Sequence, residues 1–354
     1  MKPFEGKRIL ITGGTGSLGQ VLVKRLLSAS PLGEPEKVIV FSRDEAKQHF
    51  MRNEFQHKAA ATDEIIYRDF SRRLDFRIGD VRDFRSIAAA LQGIDIVFNA
   101  AALKQVPTCE YFPYEAVQTN IAGPENIVRA IKEHRLPVET VVGVSTDKAC
   151  KPINVMGMTK AIQERVFIQA NLRCANTRFV CARYGNVLAS RGSVIPLFVD
   201  QIRNGGPVTI TSPDMTRFLL GLDQAVDTIL AAVRLGEPGE TFIPHVPSAL
   251  VTNIAAAMIG DRNIKTVVTG IRPGEKLHES LISFEEAART IKKDDWYVIG
   301  PMLPELARGS VVPALDSEYS SDQEVMTLEQ TRDVLQRRRL MVEDLANQQG
   351  EILA

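Results

Sequence analysis

Cysteine is scarce in this sequence, and its spacing fits neither a disulfide framework nor a zinc site. The chain of 354 residues contains four cysteines, Cys109, Cys150, Cys174 and Cys181, with no Cys-x-x-Cys pair. Disulfide-rich secreted domains and structural zinc sites carry more cysteines at shorter, paired spacings. The sequence therefore predicts a protein of a reducing compartment that binds no metal.

The sequence also lacks an excess of charge of either sign and lacks a long apolar run. Lysine and arginine together number 43, and aspartate and glutamate together also number 43. No net electrostatic field therefore attracts the whole chain to nucleic acid. The N-terminal residues lead directly into a strand pattern, and no segment approaches the ~18 apolar residues of a membrane span. We expect a cytoplasmic protein with no membrane span and no nucleic-acid partner.

What the sequence does contain is a regular alternation of apolar strand patterns with amphipathic helix patterns. The strand patterns lie at 8–12, 37–41, 74–78, 94–99 and 140–144, and helix patterns lie at 20–28, 84–91 and 116–132. We interpret these strand patterns as lacking an alternation of inward and outward residues, as expected when helices cover both faces of a parallel sheet. The sequence thus predicts an α/β fold with a doubly wound parallel sheet of the Rossmann type, which binds ligands at the carboxyl ends of its strands.

After Tyr184 this alternation ends, and segments punctuated by glycine and proline begin, such as 205–207 and 271–274. Such segments are typical of loops, and we interpret them as a smaller substrate-binding lobe. A helix pattern at 223–235 is expected to pack back on the first domain. The predicted division is 1–187 and 222–243 for the Rossmann domain, 188–221 and 244–310 for the lobe, and 311–354 for a C-terminal helical extension, with a helix pattern at 327–347 and a frayed tail at 348–354.

A glycine turn follows the first strand pattern and opens the first helix pattern. Its sequence is Thr-Gly-Gly-Thr-Gly-Ser-Leu-Gly at 12–19. Gly13 permits a tight turn, Gly16 lets backbone amides approach a pyrophosphate, and Gly19 lets the helix pack closely on the strand. An ordinary glycine-rich turn is the alternative. We predict a nicotinamide dinucleotide site that includes Thr15, Ser17 and Leu18.

Arg43, at the end of the second strand pattern, indicates which dinucleotide is bound. A site that prefers NAD usually has an acidic residue there, whereas a guanidinium suits the 2′-phosphate of NADP. The alternative is that Arg43 is a solvated loop charge and that Asp44 binds the ribose. The other predicted cofactor contacts are Ser42, Asp80, Val81, Ala100, Ala101 and Ala102, of which Asp80 could hold the adenine edge.

The catalytic candidates follow the strand pattern at 140–144, where Thr146, Asp147 and Lys148 reach the carboxyl edge of the sheet. Short-chain dehydrogenases carry Tyr-x-x-x-Lys on the next helix, with both side chains on one face. Lys160 fits that pattern, and we assign it to both the catalytic and the cofactor site. Met156 stands where the tyrosine would be and cannot transfer a proton.

Asp147 and Lys148 offer an acid and a base in adjacent positions, which an elimination requires and a simple dehydrogenation does not. Consecutive residues that leave a strand point in different directions, so the two side chains need not neutralise each other. A surface salt bridge or a helix cap is the alternative interpretation of this pair.

Further motifs are distributed along the chain. They are Phe-Ser-Arg-Asp-Glu at 41–45, Ile-Gly-Asp-Val-Arg-Asp at 78–83, Ala-Ala-Ala-Leu-Lys-Gln-Val-Pro at 100–107, Ser-Thr-Asp-Lys-Ala at 145–149, Arg-Tyr-Gly-Asn-Val at 183–187, Ser-Arg-Gly-Ser-Val-Ile-Pro at 190–196 and Gly-Ile-Arg-Pro-Gly-Glu-Lys at 270–276. With the glycine turn, these motifs make the chain, from Gly6 to about Leu281, resemble the UDP-N-acetylglucosamine 4,6-dehydratases. That family is part of the extended short-chain dehydrogenase class, and the resemblance is to its soluble, configuration-inverting branch.

Met156 is the departure from the family pattern. Many relatives have tyrosine at this position, while some dehydratases of bacterial surface-sugar pathways have methionine, including membrane-anchored, configuration-retaining ones. The substitution is therefore compatible with dehydration, but it leaves open the stereochemistry at carbon 5 and the base for the oxidation step.

The resemblance implies that UDP-N-acetylglucosamine is converted to a UDP-4-keto-6-deoxy sugar by internal hydride transfer through NADP, with inversion at carbon 5, for bacterial surface glycans. Lys148 would remove the carbon 5 proton if burial or a cationic neighbour such as Lys160 lowers its pKa towards neutrality. Asp147 would protonate the departing 6-hydroxyl, and Thr146 would hydrogen-bond the 4-hydroxyl. Either Asp147 or Lys148 would also accept the 4-hydroxyl proton.

For the nucleotide half of the substrate, the resemblance implies ligands on later loops. Asn186, Arg217 and Arg272 would bind the diphosphate and uridine, since a guanidinium matches phosphate oxygens with a rigid fork of donors. Glu275 would contact the ribose, and Lys104 would reach the sugar. Ordinary loop salt bridges are the alternative role for the two arginines. We also expect the protein to form a homo-oligomer.

Two other functions fit parts of the sequence. A UDP-sugar 4-epimerase shares the hydride step and the fold, but it does not use the Asp147 and Lys148 pair and normally needs the tyrosine. A non-catalytic cofactor-binding protein could have lost that tyrosine, although the retention of Thr146 and Lys160 argues against it.

Overall fold

The computed structural model describes residues 2–57, 72–188, 193–307, 309 and 312–346. The motif at 190–196 is only partly included, and the tail predicted at 348–354 lies outside the described residues. No helix within the described ranges is long and apolar enough to span a membrane.

Strands and helices alternate through the first half of the chain. The strands are β1 (Arg8–Thr12), β2 (Lys37–Ser42), β3 (Leu74–Ile78), β4 (Ile96–Asn99), β5 (Thr140–Thr146), β6 (Arg178–Tyr184), β7 (Val208–Ile210), β8 (Thr216–Phe218), β9 (Thr241–Pro244), β10 (Ser248–Leu250), β11 (Thr266–Val268), β12 (Ser280–Ile282), β13 (Thr290–Lys293), β14 (Trp296–Ile299), β15 (Tyr319–Ser320) and β16 (Val325–Met326). The helices are α1 (Ser17–Leu27), α2 (Glu45–His57), α3 (Phe84–Ala90), α4 (Val106–Tyr111), α5 (Pro113–Val117), α6 (Gly123–His134), α7 (Val155–Arg173), α8 (Val194–Arg203), α9 (Leu222–Leu235), α10 (Val251–Ile259), α11 (Phe284–Ala287), α12 (Leu328–Arg337) and α13 (Val342–Ala346).

The central sheet is doubly wound and mostly parallel. Among the described residues it contains nine strands in the order β3-β2-β1-β4-β5-β6-β9-β14-β13, and the last two are antiparallel to their neighbours. The first six strands of this order follow the Rossmann arrangement. Helices α1 and α9 cover one face, and α3, α6 and α7 cover the other. The predicted fold class is therefore confirmed.

Burial on both faces explains why the inner strands are largely apolar, whereas the edge strand β3 alternates apolar and charged residues. In β5 every residue from Thr140 to Ser145 is buried. Complete burial of one valine or isoleucine side chain stabilises the fold by about 1.5–3 kcal/mol. Val226 and Ile229 of α9 join the core on the α1 face, so this helix packs on the first domain.

The helix predicted at 116–132 is interrupted. Helix α5 ends at Val117, a π-helical segment covers Gln118–Ala122, and α6 begins at Gly123. Pro124 at the start of α6 has no amide hydrogen to donate, so the regular pattern of helix hydrogen bonds cannot continue through it. The π-helical segment turns Asn120 inwards, where its Nδ2 donates to the Leu103 carbonyl at 2.9 Å. Sequence periodicity alone gives no sign of this insertion.

The C-terminal half forms a smaller lobe with its own apolar core. Residues of α8, α10, α12 and α13 meet there, among them Phe198, Met258, Leu335 and Leu345. The range 311–346 is therefore not a separate helical extension, because its two short helices bury their apolar faces in the lobe. Strands β13 and β14, from the range assigned to the lobe, instead extend the main sheet beside β9.

A buried ion network joins the main sheet to the segment around α11. Arg183 of β6 donates to Glu164 Oε2 and to Glu286 Oε2, both at 2.7 Å, and Ser145 donates to Glu164 Oε1 at 2.5 Å. Burial alone would raise the pKa of Glu286, but the charge and hydrogen bonds of Arg183 outweigh it and lower the pKa to about 2. The carboxylates of Glu164 and Glu286 in turn raise the pKa of Arg183.

We predict that Arg183→Met lowers the free energy of unfolding by about 3–5 kcal/mol at neutral pH, because it leaves two buried carboxylates without a counter-charge. Urea denaturation followed by circular dichroism measures the change. Arg129→Met, which removes an exposed pair with Glu133, is the control and should change little. A denaturation midpoint of Arg183→Met equal to that of the wild type would contradict the assignment.

The same network predicts a pH dependence. The pKa of Glu286 falls from an ordinary 4.5 to about 2 in the fold, so its ionisation stabilises the protein above pH 4.5. This contribution is lost as the pH falls from 4.5 towards 2. In Arg183→Met the pKa of Glu286 is no longer held down, and the stability should fall less steeply over that interval. Parallel pH profiles of unfolding free energy would argue against the coupling.

Candidate active site

The carboxyl ends of the parallel strands meet along one edge of the sheet and carry most of the predicted site residues. Strand pairing places Thr12 beside Asn99 and Thr146 beside Tyr184. Thr12 Oγ1 donates to Asn99 Oδ1 at 2.9 Å and accepts from the Ala101 amide at 3.2 Å. The glycine turn, the alanine loop after β4 and the turn after β5 therefore lie at the same edge.

The glycine turn has the geometry of a pyrophosphate cradle. Gly13 has a left-handed backbone with a φ of 68°, and a Cβ atom there would lie 2.8 Å from the backbone of Ala101. A Cβ on Gly19 would lie 2.5 Å from the Cα of Gly14. Helix α1 begins after Gly16, which has no side chain to cap the amides of the first turn. Such amides bind anions, so the turn fits the pyrophosphate of a dinucleotide.

Other predicted cofactor residues surround this turn. Thr15 Oγ1 lies 3.1 Å from Ser42 Oγ, which joins the turn to the end of β2. Val81 packs against the start of α6, where a Cβ on Gly123 would lie 2.9 Å from Val81 Cγ2. Four more predicted residues lie at the same edge, in the first turn of α1 and in the loop after β4: Ser17, Leu18, Ala100 and Ala102.

The charges at the ends of β2 and β3 have different environments. Arg43 is largely exposed, with Nη1 3.9 Å from Asp80 Oδ2. Asp80 accepts hydrogen bonds from Arg82 at 2.7 to 3.0 Å. Burial alone would raise the pKa of Asp80, but these hydrogen bonds outweigh it and lower the pKa. Asp44 accepts from the Lys47 amide at 3.0 Å and thereby caps α2.

A short 3₁₀ turn, Asp147–Ala149, follows β5 and positions the acid and base candidates. Thr146 Oγ1 donates to Asp147 Oδ1 at 2.7 Å and accepts from the Lys148 amide at 3.4 Å. The Asp147 side chain is only 1% exposed. A Cβ on Gly157 would collide with the Lys148 carbonyl oxygen, so glycine at this position lets α7 approach the turn.

Three side-chain oxygens surround the ammonium of Lys148. Its Nζ lies 2.8 Å from Asn186 Oδ1, 3.1 Å from Asp147 Oδ1 and 3.4 Å from Glu279 Oε1. The adjacent acid and base therefore form an ion pair with each other, although the sequence suggested that they need not. The irregular 3₁₀ turn, rather than continued strand geometry, brings the two side chains together.

The electrostatics of Lys148 are opposite to those that a base requires. Burial alone would lower its pKa, but Asp147 and Glu279 outweigh burial and raise the pKa above the usual value of a lysine. The cation that acts against them is Arg217, and not Lys160 as the sequence suggested. The expectation that the pKa of Lys148 is lowered towards neutrality is therefore wrong for this arrangement, because two carboxylates surround the ammonium.

The position of the family tyrosine is filled by an apolar side chain. Met156 is buried in a small apolar cluster with residues of α4 and α5. Tyr184 lies beside Thr146 across the β5–β6 pair, but burial raises the pKa of its hydroxyl. Tyr184 is therefore a poor replacement for a tyrosine that must accept a proton.

Lys160 lies one helical turn after Met156 and points back into the sheet. Its Nζ donates to the Val144 carbonyl at 2.5 Å and to Gln163 Oε1 at 2.6 Å. Burial lowers the pKa of Lys160 to about 8. Its polar end is thus satisfied by protein atoms.

A loop of the lobe at 270–279 docks on the start of α7. Asn154 caps α7 by accepting from the Gly157 amide at 2.8 Å, and its Nδ2 donates to the Gly274 carbonyl at 2.8 Å. Arg217 donates to the carbonyls of Lys276 and Leu277 at 3.0 and 3.1 Å. These bonds place the lobe loop directly over the turn after β5.

Of the predicted substrate ligands, Arg217 lies in strand β8 and the others lie on loops. The Asn186 side chain accepts from Lys148, and the Arg217 side chain holds the lobe loop. Arg272 is exposed, and its amide donates to Glu275 Oε2 at 3.3 Å. Lys104 is exposed in the loop after β4. Their roles toward a substrate remain predictions.

Three residues of this region were missed by sequence reasoning. Asn120 lies in the π-helical segment, Asn154 caps α7, and Glu279 lies beside Lys148. The sequence signal for Glu279 is weak. It is a single carboxylate, three positions after Lys276, the last residue of the Arg-Pro-Gly-Glu-Lys motif. Only the docking of the lobe on the sheet identifies it as part of the site.

Comparison with known proteins places the chain in a family. Residues 9–301 match the family model described as polysaccharide biosynthesis protein. The chain is 40% identical over 357 residues to a Rickettsia canadensis (strain McKiel) protein named UDP-glucose 4-epimerase, and the match covers 97% of this chain and 99% of the relative. A Rickettsia conorii relative (strain ATCC VR-613 / Malish 7) of the same name is also 40% identical.

Solved structures share the fold. The X-ray structure of Pen from Bacillus thuringiensis is similar with a TM-score of 0.84 and 34% identity, covering 96% of this chain and 99% of Pen. DesIV from Streptomyces venezuelae, titled dTDP-glucose 4,6-dehydratase with NAD and TYD bound, has a TM-score of 0.61 at 22% identity, over 76% of this chain and 86% of DesIV. The chain therefore belongs to the polysaccharide biosynthesis protein family and has the extended short-chain dehydrogenase fold found in dehydratases and epimerases.

Proposed function

We propose that the enzyme catalyses 4,6-dehydration of UDP-N-acetylglucosamine to a UDP-4-keto-6-deoxy sugar for bacterial surface glycans. The observation that carries the proposal is the partly buried acid and base pair at the end of β5. There Lys148 Nζ lies 3.1 Å from Asp147 Oδ1. Removal of water needs one group to take the carbon 5 proton and another to protonate the leaving hydroxyl. An epimerisation at carbon 4 needs neither.

Asp147 is the proposed proton carrier between the two ends of the reaction. Its Oδ1 accepts from Thr146 Oγ1, the hydroxyl expected beside the sugar 4-hydroxyl. The Asp147 carboxylate would take the proton of the sugar 4-hydroxyl as the carbon 4 hydride leaves. It would later give the same proton to the departing 6-hydroxyl. This assignment needs no tyrosine at position 156, because Asp147 would accept the proton in its place.

Lys148 is the proposed base at carbon 5. A dinucleotide held by the glycine turn would supply the hydride chemistry at carbons 4 and 6. Lys148 would take the carbon 5 proton, which a ketone at carbon 4 makes acidic. Return of a proton to the opposite face would invert carbon 5, and this stereochemical part of the proposal rests on the sequence resemblance alone.

A second candidate is a UDP-sugar 4-epimerase, and the names of the curated relatives favour it over dehydration. The Rickettsia proteins named UDP-glucose 4-epimerase are similar over nearly the whole chain. Against this candidate stands Met156, since a 4-epimerase of this fold normally uses a tyrosine at that position. The two functions differ in whether the product has lost water.

Product analysis of wild-type enzyme and Lys148→Met tests the proposal. With UDP-N-acetylglucosamine, mass spectrometry should show loss of one water from the wild-type product, and carbon 5 should gain deuterium from heavy water. Lys148→Met should reduce both by about 10²–10⁴-fold, the usual contribution of a general base. Lys151→Met, which changes an exposed lysine paired with Glu318, is the matched control and should retain activity.

A product of unchanged mass, namely UDP-N-acetylgalactosamine from UDP-N-acetylglucosamine or UDP-galactose from UDP-glucose, would establish the epimerase instead. Binding of cofactor without turnover of any UDP-sugar would favour the non-catalytic alternative. Undiminished deuterium uptake at carbon 5 in Lys148→Met would remove Lys148 from its assigned role.

We further propose that the cofactor is NADP. Arg43 presents an exposed guanidinium at the end of β2, whereas Asp44 is engaged in capping α2. An NAD site of this fold usually uses an acidic group at this strand end for the ribose hydroxyls. The available positive charge and the engaged carboxylate both favour a 2′-phosphate.

Arg43→Ala should weaken NADP binding about 10- to 100-fold, which corresponds to the loss of a charge-assisted hydrogen bond. NAD binding should change little, because it has no 2′-phosphate. Calorimetric titration of both dinucleotides measures the difference, with Arg85→Ala on the exposed side of α3 as control. An equal loss for NADP and NAD would contradict the assignment.

A further inference from the structure

Glu279 is a buried carboxylate that the proposed reaction does not yet use. Its residue exposure is only 2%, and it lies on the lobe loop over the catalytic turn. Oε1 is 3.4 Å from Lys148 Nζ, while the buried Oε2 has no hydrogen-bond partner among the described residues. A buried carboxylate oxygen without a partner is costly, and a protonated carboxyl in its place is less so.

The backbone around Glu279 is fixed, so its position is not an accident of a loose loop. The Glu279 amide donates to Ser321 Oγ at 2.9 Å, and the Ser321 amide donates back to the Glu279 carbonyl at 2.8 Å. Arg217 binds the carbonyls of two residues shortly before Glu279, Lys276 and Leu277. Ser321 and Arg217 therefore fix the backbone that carries the Glu279 carboxyl group beside Lys148.

The charged groups that face Glu279 come from three elements. Asp147 and Lys148 belong to the turn after β5, Arg217 belongs to β8, and Lys276 belongs to the lobe loop. Burial and the negative charge of Asp147 raise the pKa of Glu279, against the opposing effect of the three cations. Glu279 is thus a carboxylate with an increased tendency to hold a proton.

A proton balance of the proposed dehydration identifies a missing acceptor. Lys148 lies in this structure among partners that stabilise its ammonium form, yet it must be a neutral amine when it attacks the carbon 5 proton. Its three neighbouring oxygens belong to Asn186, Asp147 and Glu279. The amide of Asn186 is not a proton acceptor of this kind, and Asp147 is already committed to the 4-hydroxyl proton. Glu279 is the remaining group.

We propose that Glu279 is a positioning residue that accepts a proton from Lys148 and thereby converts it into the base of the reaction. The inference rests on the proposed dehydration. In this step one N–H bond of the ammonium breaks and one O–H bond forms on Glu279, which leaves a neutral amine beside a neutral carboxyl. The amine then takes the carbon 5 proton, and the cluster keeps its net charge until that moment. Exclusion of water by bound substrate favours the neutral pair over the ion pair.

The pH dependence of carbon 5 deuterium uptake tests this relay. In the wild type the proton moves within the pair, so the rate should be nearly independent of pH between about 6 and 9. In Glu279→Gln the lysine must lose its proton to solvent, so the rate should be reduced about 10- to 100-fold near neutrality. It should then rise about tenfold per pH unit until Lys148 is titrated.

Two further variants separate this role from a structural one. Glu279→Asp retains a carboxyl group and should keep the flat profile at a reduced rate. Glu285→Gln, the same change at an exposed position six residues away, should behave like the wild type. A Glu279→Gln profile that runs parallel to the wild-type profile would overturn the proposal, because a merely structural loss lowers the rate without changing its slope.

The outcomes also separate this inference from the proposed function. Wild-type enzyme that releases water and exchanges carbon 5, together with a flat Glu279→Gln profile, refutes the relay and leaves dehydration in place. Wild-type enzyme that neither releases water nor exchanges carbon 5 refutes both.

Discussion

The ion pairs of the partly buried Lys148 ammonium are the interactions on which the arrangement of the site depends. Lys148 Nζ lies 3.1 Å from Asp147 Oδ1 within the turn after β5 and 3.4 Å from Glu279 Oε1 of the lobe loop. A buried charge is tolerated only when counter-charges and hydrogen bonds surround it. The close approach of α7 at Gly157 and the cap at Asn154 keep those partners in place.

A second buried charge shows by contrast what is special about this cluster. Arg183 lies between Glu164 and Glu286 and donates hydrogen bonds to both oxygens of each carboxylate. Every carboxylate oxygen of that ionic network therefore has a donor, which suits a structural role. The Lys148 cluster instead retains a buried carboxylate oxygen without a described partner, on Glu279. A cluster with unused acceptor capacity can change its proton distribution during a reaction.

The sequence was sufficient for the sheet and for the choice of the catalytic edge. The first and third strands have the predicted bounds, because an apolar run in the first, an alternation of apolar and charged residues in the third, and flanking turn residues define them locally. The insertion at 118–122 was not predictable, since the π-helical segment is stabilised by Asn120 and its distant partners Leu103 and Thr159. Local patterns do not contain such long-range bonds.

The electrostatic prediction for Lys148 failed for the same physical reason. Sequence neighbours suggested a lysine whose pKa is lowered by burial, whereas the structure adds Glu279 from a loop far along the chain. The composition of the site was therefore largely predictable, but its proton balance was not. Proton balance depends on the distances between groups that meet only after folding.

Asp147 and Lys148 at the end of β5 are proposed to serve an elimination and not an epimerisation. Relatives at 40% identity nevertheless carry the name UDP-glucose 4-epimerase. The most direct test is the proton NMR spectrum of the product formed from UDP-N-acetylglucosamine in heavy water. The account predicts a new methyl signal of a 6-deoxy sugar and loss of the carbon 5 proton signal. A product that retains its hydroxymethyl group and its carbon 5 proton, with only carbon 4 inverted, would contradict it.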